Sequence, residues 1–165
     1  MEESNIKHGE LAERLAFVEQ QLVEMEGKIG LPSQILSEDA EYYINLSKDD
    51  LYKLSADACG IGAYKLNQFA LHLQKYHNRY IAIVNWLDEN IRFVVAKATQ
   101  GIQCYGAKER DTIAIGNSEV AMELYRVKTE KKLIVDNVAF LTSRVTALAD
   151  TLLDIKRGKA WQERS

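Results

Sequence analysis

The chain has 165 residues with one proline and nine glycines; 47% of its residues are hydrophobic and 27% charged. That is one domain, or one domain with an arm, and the shortage of turn residues and of strand-like alternation excludes a β-rich fold. The net charge of −3 is unevenly spread: residues 1–50 hold four Lys/Arg against twelve Asp/Glu, and residues 51–165 hold seventeen against twelve, a contrast expected if only the later part meets a polyanion.

No uncharged apolar run is long enough to cross a membrane, and Met1-Glu-Glu-Ser lacks the basic and apolar regions of a secretory signal. Cys59 and Cys104 stand in unlike contexts, which reads as two reduced thiols of a cytoplasmic protein rather than a disulfide framework.

In chain order, residues 9–29 carry a narrow heptad seam, Leu11, Leu15, Val18, Leu22, Met25 and Ile29, with Glu10, Glu13, Glu19, Glu24 and Glu26 on the outer face. Three heptads of this kind predict a short coiled-coil arm, paired with another copy or folded back on the body. Gly30-Leu31-Pro32 ends it. Residues 30–46 form a linker in which Ser33 and Ser37 are plausible caps and Ser37 opens a short helical turn through Tyr42, Tyr43 and Ile44. Ser47 reads as an N-cap, with Asp49 and Asp50 in the first turn complementing the helix dipole.

From Ser47 to about Ile102 the sequence predicts one long helix, roughly 80 Å at about 1.5 Å per residue. It carries two adjacent apolar seams. One steps by threes and fours through Leu66, Phe69, Leu73, Tyr76, Tyr80, Ile83, Leu87, Asn90 and Val94; the other runs at sevens through Ala63, Ala70, His77, Val84, Ile91 and Ala98. Two seams require more than one neighbouring helix. Gly60 and Gly62 mark either a break or a close helix–helix approach, and the alanines beside them favour the approach. Residues 103–117 lack a period and read as the main loop, with Ile113-Ala-Ile extended. Asn117 or Ser118 caps a last helix whose seam is Val120, Leu124, Val127, Lys131, Ile134, Val138, Leu141, Val145, Leu148, Leu152 and Ile155. A basic tail follows from Lys156. The expected architecture is therefore all-α: an acidic heptad helix and linker over 1–46, then a long antiparallel helical hairpin over 47–165, the whole oligomeric. Leu11, Leu15, Val18, Leu22, Ile83, Leu87, Leu141 and Leu148 are the expected packing residues. Asn90 and Lys131 interrupt the seams, where polar residues set register, and an antiparallel hairpin turning near residue 110 brings them to similar depth.

Nothing in the sequence predicts an enzyme. His72 and His77 have no carboxylate or cysteine at metal spacing, the cysteines lack the neighbours of a nucleophile, and Gly60-Ile-Gly follows no strand. No metal or cofactor is expected. The basic residues carry more. Arg92 and Lys97 fall near the end of the long helix, Lys108 and Arg110 in the loop beside Tyr105, and Arg126, Lys128, Lys131 and Lys132 early in the last helix. A hairpin returns all of them to one end. Cations beside an aromatic supply phosphate pairing and base stacking, the needs of a sequence-tolerant single-strand binder. Glu109, Asp111, Glu119, Glu123 and Glu130 dilute the cluster, so oligomerisation would have to multiply a weak site.

Three blocks carry a family resemblance: Asn85-Trp-Leu87 in the long helix; Val94-Val-Ala-Lys-Ala98 leading to Tyr105-Gly-Ala-Lys-Glu-Arg110; and Ser118-Glu followed by a helix ending Ala149-Asp-Thr-Leu-Leu-Asp-Ile-Lys-Arg-Gly158. Residues 54–159 resemble in layout the UvsY-type recombination mediators of T-even phages. The resemblance implies a small helical protein without catalytic activity. Such proteins work as rings that load a RecA-like recombinase onto single-stranded DNA coated with single-strand-binding protein, in the cytoplasm of an infected bacterium. By position it makes Lys97, Lys108 and Arg110 the DNA contacts. The family's arginine after Lys-Ala is Thr99 here, one tyrosine of its pair is missing, and residues 1–29 have no counterpart. The alternative is a helical adaptor or structural assembly protein that binds proteins only.

Overall fold

The computed structural model describes residues 8–28, 37–99 and 106–162, which form six helices: α1 (His8–Lys28), α2 (Ser37–Ile44), α3 (Lys48–Lys53), α4 (Ala56–Ala98), α5 (Ala107–Gly116) and α6 (Glu119–Gln162). No strand occurs among these residues. The fold is all-α, and α4 packs against α6 as a hairpin. The expected stop at Gly30-Leu31-Pro32, the cap at Ser33, and Cys104 and Tyr105 lie outside the described residues.

The long helix begins later than its apolar rhythm implies. Ser47 does cap a helix, its hydroxyl accepting from the Asp50 N–H at 3.2 Å while donating to the Asp50 carboxylate at 2.6 Å. That hydroxyl and Lys53 hold the Asp50 carboxyl below its ordinary value. But this helix is the short α3. Leu54 turns extended, with φ −60° and ψ 144°, and Ser55 starts α4 by accepting from the Ala58 N–H at 3.1 Å. A second serine cap within eight residues thus divides what periodicity alone reads as continuous. The expected loop is corrected too. Residues 107–116 form α5, and Ile113-Ala-Ile is helical, because Ala114 is fully buried and Ile115 packs beside it. Ser118 caps α6, accepting from the Ala121 N–H at 3.3 Å.

The helices form two compact units. The first gathers α1, α4 from Asn78 onward, α5, and α6 up to Val135. Its core is Leu11, Ile83, Leu87, Ile91, Val95, Ala114 and Leu124, with Leu15, Leu22, Tyr80 and Val127 packed around it. The acidic arm therefore folds back on its own chain. Along the expected arm seam Val18 is half-buried, and Met25 is 56% exposed, off the packed strip. Here α4 and α6 are antiparallel: Lys128 on α6 pairs with Asp88 on α4 at 2.5 Å, and Lys131 lies over the Tyr80 ring at 5.5 Å.

The second unit gathers α2, α3, α4 up to His77, and α6 from Asp136. Its α4 strip, Cys59, Ala63, Leu66, Ala70 and Leu73, merges residues of both predicted seams and meets Val145, Ala149, Leu152 and Ile155 of α6, with Ala40 and Tyr43 of α2. Leu148 packs against this core, but Leu141 is 38% exposed. A strict heptad drifts about 20° per seven residues around a straight helix, and Leu141 falls at the edge of the buried strip. The helix is continuous through both glycines. A Cβ on Gly62 would sit 2.5 Å from Tyr43 Cε1 and 2.9 Å from Leu152 Cδ1, so that glycine is there for close approach.

The carbonyls left open where α3 ends are taken by a lysine of the basic tail. Lys159 Nζ donates to Tyr52 O at 2.8 Å and to Leu54 O at 2.6 Å, an ammonium at a helix C-terminus where the dipole favours it. Replacing Lys159 by methionine keeps the stem and removes both charge-assisted bonds. Amide exchange at residues 51–54 is expected to speed up about tenfold, with α1 unaffected, as read by hydrogen exchange. Unchanged protection there would mean that the lysine does not hold α3.

Candidate nucleic-acid interface

The hairpin end of the first unit is built by α5. Its apolar face, Ala114 and Ile115, packs with Val94, Val95 and Ala98 of α4 and Val120 and Leu124 of α6. Lys108 and Arg110, in the first turn of α5, are exposed and flank that face on its two sides. On α4, Arg92 and Lys97 are exposed beside Phe93, itself 62% exposed, and the Lys97 ammonium sits 4.2 Å from the Phe93 ring centroid. One helical turn separates the pair, the geometry of a surface cation–π contact. Among the described residues no carboxylate forms an ion pair with Arg92, Lys97, Lys108 or Arg110. Tyr105, the aromatic expected in the loop, lies outside the described residues; Phe93, which belongs to neither predicted seam, is an exposed aromatic in contact with Lys97.

The α6 cations differ. Arg126 Nη2 donates to Glu123 at 2.6 Å, and its other terminal nitrogen is bonded to Glu130; Glu123, then Glu130, hold the guanidinium firmly protonated. Lys128 is spent on Asp88, and Lys131 on Glu19 of α1 at 2.8 Å. Carboxylates at helical neighbour spacing were visible in the sequence; that they close on these particular cations is a matter of packing. Asn90 and Lys131 do not meet. The Asn90 amide donates to Trp86 O in its own helix at 2.7 Å, because the observed register sets Lys131 against Tyr80.

No group of His, Cys, Asp and Glu among the described residues fits a metal ion. The Cys59 thiol is fully buried, and burial raises its pKa against the opposing pull of Lys159 and Lys156, the reverse of what activates a nucleophile. Among the described residues no helix is long and apolar enough to cross a membrane. A separate line of apolar side chains, Met122 (46% exposed), Tyr125 (51%) and Leu133 (59%), lies on the outer side of α6 in the first unit. The chain matches no protein-family profile, no curated protein and no solved structure.

Proposed function

We propose that this protein is a non-enzymatic recombination mediator that binds single-stranded DNA through the end of the first unit and helps to load a RecA-like recombinase, acting as a homo-oligomer in the cytoplasm of a phage-infected bacterium. The recombinase, the single-strand-binding protein and the setting come from the layout resemblance to UvsY-type mediators. The observation that carries the DNA reading is the set of exposed cations Arg92, Lys97, Lys108 and Arg110, none paired with a carboxylate among the described residues, together with the exposed Phe93 that Lys97 contacts. Phosphates pair with the former and bases stack on the latter. Four contacts per chain make a weak site, and several chains holding one strand turn it into an adequate one.

The test is the binding of a labelled oligothymidylate at several salt concentrations. Affinity should fall steeply with salt. Changing Lys97, Lys108 and Arg110 together to alanine should reduce the log–log slope by about 2, at roughly 0.7 per lost phosphate contact on a single strand, with helicity unchanged. Arg126→Ala should have little effect, since its guanidinium is already engaged. Absence of binding at low salt would overturn the mediator reading. It would leave the second one, an adaptor that meets proteins through the Met122–Tyr125–Leu133 line.

A further inference from the structure

Among the described residues, ion pairs of a particular kind bind the acidic arm to the hairpin. Arg79 on α4 holds Glu26 in a two-pronged contact, Nε to one carboxylate oxygen at 3.0 Å and Nη2 to the other at 2.5 Å. Lys131 on α6 holds Glu19 at 2.8 Å. Both cations keep only 20% of their side-chain exposure. Glu19 and Glu26 are one heptad apart and so share a flank of α1. The planar fork that Arg79 presents to a carboxylate is the one a guanidinium presents to a phosphate. Beside it lies Tyr80, an aromatic over which the Lys131 ammonium sits at 5.5 Å. An arginine fork, a lysine and an aromatic on adjacent helices are the parts of a single-strand site, and what occupies them is a helix with five carboxylates against two basic residues between 8 and 28.

We infer that Arg79, Tyr80 and Lys131 form a second polyanion site, masked by α1 acting as an internal anion that competes with the nucleic-acid backbone. This deepens the nucleic-acid reading and rests on it. Occupied by the arm, the hairpin withholds Arg79 and Lys131 from a strand. With the arm lifted, two more phosphate contacts open. The acidic charge of the N-terminal third then has a purpose beyond solubility: it sets a threshold that strong, multivalent DNA binding must overcome.

The full-length chain, the double variant Glu19→Gln/Glu26→Gln and the quadruple variant that adds Arg79→Gln/Lys131→Gln are compared for labelled oligothymidylate binding across salt. Glu13→Gln/Glu24→Gln, the same change of charge on the outer face of α1, is the control. The double variant should bind roughly tenfold more tightly, with a slope steeper by about 1.4 for two added contacts. The quadruple variant should lose that gain, and the control should shift affinity far less. A double variant that melts earlier but binds as the parent does would show that the pairs only dock the arm, and would overturn the inference while leaving the end site intact. A gain that survives in the quadruple variant, or that the control reproduces, would overturn it too. Binding by the double variant alone, with none by the parent, would support the masked site and remove the end site. No binding by any of the four would defeat both.

Discussion

Leu87→Ala is expected to cost about 2–5 kcal/mol of unfolding free energy, the range for emptying a fully buried leucine site. Leu87 has no exposed surface and sits in the cluster where Leu11 of α1, Ile83 of α4 and Leu124 of α6 converge. Three helices bordering one side chain limit how far the site can collapse, which places the cost in the upper half of that range. Denaturant titration should show a lower midpoint at an unchanged slope. The same truncation at Leu133, 59% exposed on the outer side of α6, should stay within about 0.5 kcal/mol. Equal losses at the two positions would mean that the wrong face of α6 has been placed in the core.

Two glycines separated by a single residue should respond in opposite directions. Each gives up about 1 kcal/mol relative to alanine inside a helix. At Gly60 the nearest atom to an added Cβ is Lys156 Nζ, 2.8 Å away at the tip of a flexible chain. The lysine can swing aside, so Gly60→Ala should stabilise by up to about 1 kcal/mol. At Gly62 the obstacles are the Tyr43 ring at 2.5 Å and Leu152 at 2.9 Å, and both belong to the packed core of the second unit. The methyl must push α2 or α6 away, an overpacking cost of about 1–3 kcal/mol that exceeds the gain in propensity. Melting temperatures of the two variants check this directly. A stabilised Gly62→Ala would mean that α2 and α6 do not approach α4 there.

Much of this architecture could be read from apolar spacing. The Leu11–Leu22 seam, the hairpin of two long helices and the close approach at Gly60-Ile-Gly62 follow from the 3.6-residue period and side-chain size. What could not be read divides by cause. The α3–α4 break depends on Ser55, whose capping hydroxyl competes with helix continuation inside a sequence whose period never falters. The helicity of α5 depends on one alanine being buried, and Ala114 in isolation gives no sign of that. Leu141 and Met25 keep the heptad and still face solvent, since a straight helix rotates the seam away from its neighbour. In the candidate site, the exposure of Lys108 and Arg110 could be expected from their loop-like surroundings. The engagement of Arg126 and Lys128 depends on which carboxylates lie within reach, and side-chain reach is a property of the assembled helices.

The two glutamates of α1 also settle a question of alignment. Slid along the hairpin by one heptad, the arm would still present a leucine seam, so apolar contact alone scarcely distinguishes one position from the next. The acids do distinguish them. A shift one way sets Ala12 against Lys131 and Glu19 against Arg79; a shift the other way sets Glu26 against Lys131 and leaves Arg79 past Lys28, the last residue of α1. Either takes the α1 carboxylate away from a largely desolvated cation, an arrangement a folded chain avoids. Glu19 and Glu26 thus serve as the graduations of a ruler, selecting one docked position from a ladder of otherwise similar ones.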